Sequence, residues 1–346
     1  ILVEVHPEPE KAASDGPQSL YPDQFEKLMR DIEVLSPVVG KEVARLPRPK
    51  GSSQLGGSST RATHPTAPNL AEDVVAFQGE PGAFSELALK RYFQNETMQS
   101  VPCESFRCVF ESVLAGQTRF GIIPIENSLA GSIHENYDLL LQYPDINIIG
   151  EKKIRIIHNL IGFSDVAISD LKAVYSHPQG LAQCAKFLDG YPEIQRVPFY
   201  DTAGSVAHIA KEKKTDCAAI ASGEAAKVYG LDILKEGIET NPRNYTRFFV
   251  IAREEEKDEA DADMASIVFS TPDKPGALFH CLQILAEEEL NMKKLESRPI
   301  AGKPWEYMFY VDLQLPSDPA GFEPALERFR GATENFRLLG IFRGAD

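Results

Sequence analysis

The sequence predicts a two-lobed α/β domain followed by a small α+β domain of βαββαβ order. Strand-like apolar runs alternate with amphipathic helical stretches between 73 and 253, the pattern of parallel-type sheets with helices on both faces. A run of seven acids and one lysine, EEEKDEADAD at 254–263, interrupts this block and reads as a solvated linker, because so dense a charge cannot be buried. Beyond it, residues 264–346 place a hairpin between two helices.

The elements follow in order. VVAFQ at 74–78 is a buried strand that ends in a Gly-Pro-Gly turn before the helical stretch 84–94. GIIPIEN at 121–127 is a strand with a polar tip, and 133–143 is an amphipathic helix. The β-branched stretch 151–163 reads as strand, and 173–188 as strand, loop and helix. Residues 203–212 are helical, 217–230 are strand then helix, and 246–253 return as a strand. That last strand follows a long excursion and is expected to rejoin the first sheet, leaving two lobes with a cleft between them. In the second domain, strand 266–271, helix 277–288, hairpin strands 292–300 and 305–315, helix 319–332 and strand 336–342 give the βαββαβ order. Ahead of both domains, 50–72 is rich in Gly, Ser, Thr and Pro and reads as a flexible linker. Residues 1–49 form a separate remnant.

Composition bounds the function. Of 346 residues, 43% are hydrophobic and 25% charged, as in core-forming globular chains. The formal net charge of −15 argues against nucleic acid or an anionic membrane as partner, and no apolar run approaches the ~20 residues of a spanning helix. The five cysteines form no CxxC pair and are odd in number, which suits a reducing compartment. With no secretory pattern at the start, the expected location is the cytoplasm.

Five polar motifs punctuate the α/β block where strands end or helices begin: GEPGAFSE at 79–86, IENS at 125–128, SHPQ at 176–179, DTAG at 201–204 and NYTRF at 244–248. Ligand groups of α/β proteins gather at such places. Ser85, Ser128, Ser176 and Thr202 stand near predicted helix N-termini, where free N–H groups and the helix dipole favour an anion. Plain capping accounts for any one of them; several on one cleft point to a site. Arg247, heading an apolar strand, reads either as an ion-paired structural arginine or as a carboxylate clamp. His134, His158 and His208 lie within elements and read as structural.

Together these motifs resemble prephenate dehydratase over about 73–253. ENSLAGSIHENYDLLL, with Gly-Ala-Phe-Ser at 82–85, is also similar to the plant arogenate dehydratases. The resemblance implies a fold like that of periplasmic binding proteins. It also implies loss of carbon dioxide and hydroxide from a cyclohexadiene carboxylate, with aromatisation as the driving force, so that no cofactor is demanded. Prephenate or arogenate is the implied substrate, and phenylpyruvate or phenylalanine the product. Thr246 is the implied essential residue, with Arg247, Glu126, Asn127 and Ser128 as catalytic companions. Ser85, Ser176, Gln179, Asp201, Thr202 and Phe248 are implied to bind substrate.

The C-terminal block resembles the ACT domain, a ferredoxin-like small-molecule regulatory module. Gly276, Ala277 and Leu278 of GALF, with Glu296, Ser297 and Arg298 of ESRP, resemble its phenylalanine-binding motifs. Feedback by phenylalanine and a homodimer or homotetramer are implied. Residues 1–49 resemble the C-terminal end of 3-deoxy-7-phosphoheptulonate (DAHP) synthase, a (β/α)8 barrel, in which Glu4 and Asp15 match two ligands of a divalent metal; two carboxylates alone make a poor transition-metal site. Two rival classes stand beside the enzyme: a two-lobed binding protein without chemistry, and a catalytically dead regulatory subunit.

Overall fold

The computed structural model describes residues 74–94, 98–253, 262–300, 303, 306–316 and 321–345. The remnant 1–49, the linker 50–72, Glu4 and Asp15 lie outside the described residues, as does most of the acidic run.

The first lobe is built on strands β1 (Val74–Gln78), β2 (Gln99–Cys103), β3 (Phe120–Asn127), the two-residue β4 (Gly131–Ser132), β5 (Ile146–Arg155) and β11 (Tyr245–Arg253). Their order is β2-β1-β3-β11-β5, with β4 hydrogen-bonded to β3. Helices α1 (Phe84–Phe93), α2 (Phe106–Leu114) and α3 (His134–Gln142) belong to this lobe. The second lobe has β6 (Asn159–Gly162), β7 (Ala173–Ser176), β8 (Gln195–Pro198), β9 (Cys217–Ala221) and β10 (Asp232–Lys235) in the order β10-β6-β9-β7-β8. Its helices are α4 (Pro178–Gln183), α5 (Ala185–Leu188), α6 (Thr202–Lys211) and α7 (Gly223–Tyr229).

The two lobes and the return of 246–253 to the first sheet agree with the sequence pattern. The stretch 151–163 does not form one strand: it ends β5 at Arg155 and begins β6 at Asn159, crossing from lobe to lobe between them. The sheets are also mixed rather than parallel. β11 runs antiparallel to both β3 and β5, and β6 antiparallel to both β9 and β10, while β1–β2, β1–β3, β7–β8 and β7–β9 are parallel. Orientation follows from where the chain re-enters a sheet, which no local pattern carries.

The C-terminal domain has β12 (Met264–Ser270), α8 (Ala277–Glu287), β13 (Asn291–Pro299), β14 (Tyr307–Gln314), α9 (Phe322–Gly331) and β15 (Asn335–Phe342). This is the expected βαββαβ order, in an antiparallel sheet β13-β14-β12-β15. One face of the sheet packs Ala265, Ile267 and Phe269 against the helices, through Leu285, Leu326 and Phe329. The other face lies on the first lobe, where Met264, Val268, Tyr310 and Phe342 join a core with Ile123, Ile148 and Phe249. β12 is therefore buried at all seven positions, which explains why Ile267, Val268 and Phe269 follow one another where one-sided burial would give alternation. Arg337 on β15 donates to the carbonyls of Leu140, Tyr143, Pro144 and Ile146 at the end of α3. Gly340 meets the Ile148 carbonyl so closely that no Cβ would fit.

The lobes are joined on one side by the turn after β1. Ser222, the N-cap of α7, donates to the Gly82 carbonyl at 2.5 Å. Gly82 has φ +88, and a Cβ there would lie 2.6 Å from Ala225 Cα. Gly82→Ala should therefore cost at least about 1–3 kcal/mol from the backbone alone, with further loss from the collision. A thermal melt checks this: a midpoint several degrees below wild type is expected, and an unchanged midpoint would show that the two lobes are not locked at this turn.

Candidate active site

Between the lobes lies a cavity of about 470 Å³. The start of α1 supplies Phe84 and Ser85, the β3–β4 turn supplies Asn127 and Gly131, and β11 supplies Thr246 and Phe248. From the second lobe come His177 and Gln179 at α4, and Asp201 and Thr202 at α6. Among the described residues, no lysine or arginine lines it.

The pairing of β3 with β11 fixes its chemistry. Asn127 stands opposite Thr246 and Glu126 opposite Arg247, and the register then slips so that Phe248 faces Pro124. Ile125 is the extra residue of a bulge. Ile122 and Pro124 face the cleft side and Ile123 and Ile125 the far side; after the bulge the parity inverts, so Asn127 rather than Glu126 points into the cleft. On β11, Thr246 and Phe248 face the cleft while Arg247 and Phe249 face away, as the two-residue period of a strand requires.

A hydrogen-bonded chain stands behind Thr246. Asn127 Nδ2 donates to Thr246 Oγ1 at 2.9 Å and to Asn244 Oδ1 at 2.8 Å. Asn127 Oδ1 accepts from the N–H groups of Leu129 and Ala130, which fixes the amide's orientation. Asn244 Nδ2 donates to Gln183 Oε1 at 2.9 Å, and His158 Nε2 lies 2.8 Å from the same oxygen. An amide oxygen only accepts, so His158 carries its proton on Nε2. His158 and Asn244 sit on the two crossings between lobes, so the chain ties both crossings to Thr246. Because Thr246 Oγ1 accepts from Asn127, its own proton is free to be donated into the cleft.

Asp201 caps α6, its Oδ1 accepting from Gly204 N at 2.7 Å. Burial pushes its carboxyl above the usual carboxylate range, and Glu80 adds to the rise. Glu80 in turn accepts from the Tyr200 hydroxyl at 3.0 Å, across the mouth of the cleft. Ala83 precedes α1 without any side-chain cap, and Ala83, Phe84 and Ser85 at the start of that helix line the cavity.

Several expected residues lie elsewhere. Arg247 is no clamp on the cleft: its guanidinium is 13% exposed and bonded to Glu151 at 2.7 Å and to Asp312. Burial works against its charge, but the two carboxylates outweigh it and raise its pKa. Glu126 pairs with Lys294 at 3.0 Å on the reverse face. Ser128 precedes no helix; in the β3–β4 turn it donates to Arg243 O and accepts from Tyr245 N. Ser176 is fully buried, its hydroxyl given to Ile220 O at 2.7 Å. Conversely, His158, read as structural, lines the cavity, as does Gln183, and Asn244 stands behind them, bonded to Asn127 and Gln183. Gln183's place one helical turn beyond Gln179 and Asn244's at the head of the NYTRF motif are the local hints of this.

A family model described as prephenate dehydratase matches residues 75–256. The chain belongs to the prephenate dehydratase family. That makes it a hydro-lyase of phenylalanine biosynthesis. Chloroplastic arogenate dehydratase/prephenate dehydratase 2 of Arabidopsis thaliana is 38% identical over 307 residues, covering 86% of this chain and 77% of that protein. The bifunctional chorismate mutase/prephenate dehydratase of Escherichia coli is 36% identical over 273 residues, covering 78% and 70%. Among solved structures, prephenate dehydratase from Arthrobacter aurescens in complex with L-Phe superposes with a TM-score of 0.71 at 29% identity, covering 78% of this chain and 89% of that one. Among the described residues, no helix is long and apolar enough to cross a membrane.

In this member of the family the buried histidine makes a pH prediction. Burial lowers the His158 pKa, against the opposing pull of Gln183 and Glu239. Between that value and the ordinary ~6.5, the unfolded chain binds the proton more readily than the folded one. The contribution to stability is therefore complete above about pH 6.5 and lost as pH falls through the folded value. His158→Gln, which can still donate to Gln183, should flatten the fall in thermal midpoint between about pH 7 and about pH 5. An equally steep fall in the variant would assign the loss to another group.

Proposed function

We propose that the cleft converts prephenate to phenylpyruvate, with Thr246 as the group that meets the departing hydroxyl. In the reaction the ring carboxylate leaves as carbon dioxide. Its C–C electron pair moves into the ring, and the C–O bond across the ring breaks. The departing hydroxide takes a proton and leaves as water. The observation that carries this reading is the Asn127–Thr246 hydrogen bond: with the amide donating to it, the hydroxyl can direct its own hydrogen at the leaving oxygen. A threonine is a weak acid, so its main contribution is a preorganised hydrogen bond to developing charge, with the protein of the first and second lobes keeping bulk water out.

Among the described residues no lysine or arginine lines the cavity, so the substrate carboxylates fall to the backbone N–H groups and dipole at the uncapped start of α1, joined by Ser85, Gln179 and Thr202. Phe84 and Phe248 supply apolar walls. Arogenate differs only in carrying an amino group where prephenate has a ketone, and it is the alternative substrate, giving phenylalanine directly. The names of the plant relatives favour keeping it in view.

The C-terminal domain acts as an ACT-type regulator that senses phenylalanine. Support comes from a second cavity of about 380 Å³ that includes Gly276, Ala277 and Leu278, and from the L-Phe complex of the Arthrobacter relative. Glu296 and Arg298 do not join that cavity; they bond Ser132, His134 and Asp138 of the first lobe, and Ser297 is exposed. A homodimer or homotetramer is the proposed assembly, supported by the open edge of β13 with Met292 and Leu295 exposed.

Turnover assays with prephenate and with arogenate, each with and without added phenylalanine, test the whole reading. Thr246→Val should lower kcat by about 10²–10³-fold while phenylalanine still binds, as calorimetry would show. A variant with near-wild-type kcat would remove Thr246 from the chemistry, and a folded wild type inactive on both substrates would leave a binding protein.

A further inference from the structure

The strands that carry Thr246 and Asn127 into the cleft carry charges on their backs, and the C-terminal sheet holds those charges. Arg247, next to Thr246, donates to Asp312 on β14 and to Glu151 on β5. Its remaining buried donor, Nε, has no partner, and its guanidinium lies over the Phe249 ring at 4.8 Å. Asp312 is 4% exposed and receives the Ser266 hydroxyl on its other oxygen. Glu126, next to Asn127, pairs with Lys294 on β13 at 3.0 Å. Lys294 also donates to Ser132 at 2.8 Å, and Ser132 lines the cleft. Two residues of the C-terminal sheet thus grip the immediate neighbours of both members of the Asn127–Thr246 hydrogen bond.

We propose that Asp312 and Lys294 are positioning residues for the reaction: through Arg247 and Glu126 the C-terminal sheet sets the orientation of Thr246 and Asn127. The inference rests on the reading of Thr246 as the group at the leaving oxygen. Neither residue touches the cavity, so neither contributes to holding substrate. The pair at Arg247 is dry, where a charge–charge hydrogen bond is directional and strong. With Asp312 neutral, the guanidinium follows Glu151 alone, toward β5, and the strand that presents Thr246 loses one of its two anchors. Misplacing a reacting group by about 1 Å can cost about 10²-fold in rate.

The test is steady-state kinetics on the full chain for Asp312→Asn, Lys294→Gln and Lys294→Arg, with thermal midpoints alongside. Asp312→Asn keeps the side chain's shape and leaves Glu151 as counter-charge to Arg247, so no buried cation is stranded. The expected result is a fall in kcat of about 10- to 100-fold with KM within about two-fold of wild type, the split that marks an interaction made in the transition state. Lys294→Arg should recover part of what Lys294→Gln loses. Folded variants with wild-type kcat, or with KM raised at unchanged kcat, overturn the proposal and leave the functional reading standing. If Asp312→Asn does not fold, the Lys294 pair decides by the same readouts. A folded wild type inactive on prephenate and arogenate overturns the functional reading, and this inference with it.

Discussion

The pairing of β3 with β11 is the constraint on which the rest of the structure depends. It is a non-local contact between residues over a hundred positions apart, and one register sets both faces. On the cleft side it places Asn127 against Thr246; on the reverse it places Glu126 against Arg247. A one-residue slip would exchange the faces, sending the charges into the cleft and the hydroxyl to the far side. The bulge at Ile125 brings this about: without it β3 would present Glu126 to the cleft, whose lining already holds Asp201 and, among the described residues, no lysine or arginine.

The reverse face explains why the C-terminal domain is docked where it is. The first lobe's sheet has an apolar outer surface, with Ile123, Ile148 and Phe249, and β12, β14 and β15 cover it. Burying the flanking charges Glu126, Glu151 and Arg247 there would be costly without partners. Lys294 and Asp312 supply them, and Arg337 supplies donors to the carbonyls that end α3. The interface therefore supplies counter-charges to these groups while leaving Arg247 Nε and Arg298 Nε without a partner among the described residues, and it cannot move far without exposing apolar surface or breaking a dry ion pair. The proposed site and the docked C-terminal sheet thus lie on the two faces of one sheet.

Much of this was legible in the chain. Local periodicity gave the strands and helices, and the five motifs mark the segments that meet at the cleft, because turn, cap and strand-end chemistry is written in a few adjacent residues. What failed was whatever depends on parity or on partners far away. Glu126 and Arg247 each sit next to a cleft residue, and adjacency in a strand means opposite faces; nothing local announces the bulge that decides which face is which. Ser176 looks like a free cap until Ile220 O arrives from β9. His158 lies amid apolar residues and reads as core, since its partner Gln183 comes from a helix of the other lobe. The ESRP segment resembles an effector motif, yet within one chain its Glu296 and Arg298 face α3 and the β3–β4 turn.

That no lysine or arginine is among the described residues lining the cavity is at first sight odd for the proposed substrate, which carries two carboxylates. One of those carboxylates, however, leaves as neutral carbon dioxide under the proposed reaction, and its charge moves into the ring and on to the departing oxygen. A guanidinium clamped to it would stabilise the ground state more than the transition state and so raise the barrier, since only interactions that strengthen on the way to the transition state accelerate a step. Helix N-termini hold an anion with partial charges that fall off within a turn, enough to orient the acid without fixing its charge in place. On the proposed reading, the hydrogen-bond donor that gains strength as the reaction proceeds is the Thr246 hydroxyl, at the oxygen where charge accumulates. The one strong cation of the NYTRF motif, Arg247, is kept on the other side of the strand, paired with Glu151 and Asp312, where on the proposed reading it would hold the hydroxyl still instead of holding the substrate.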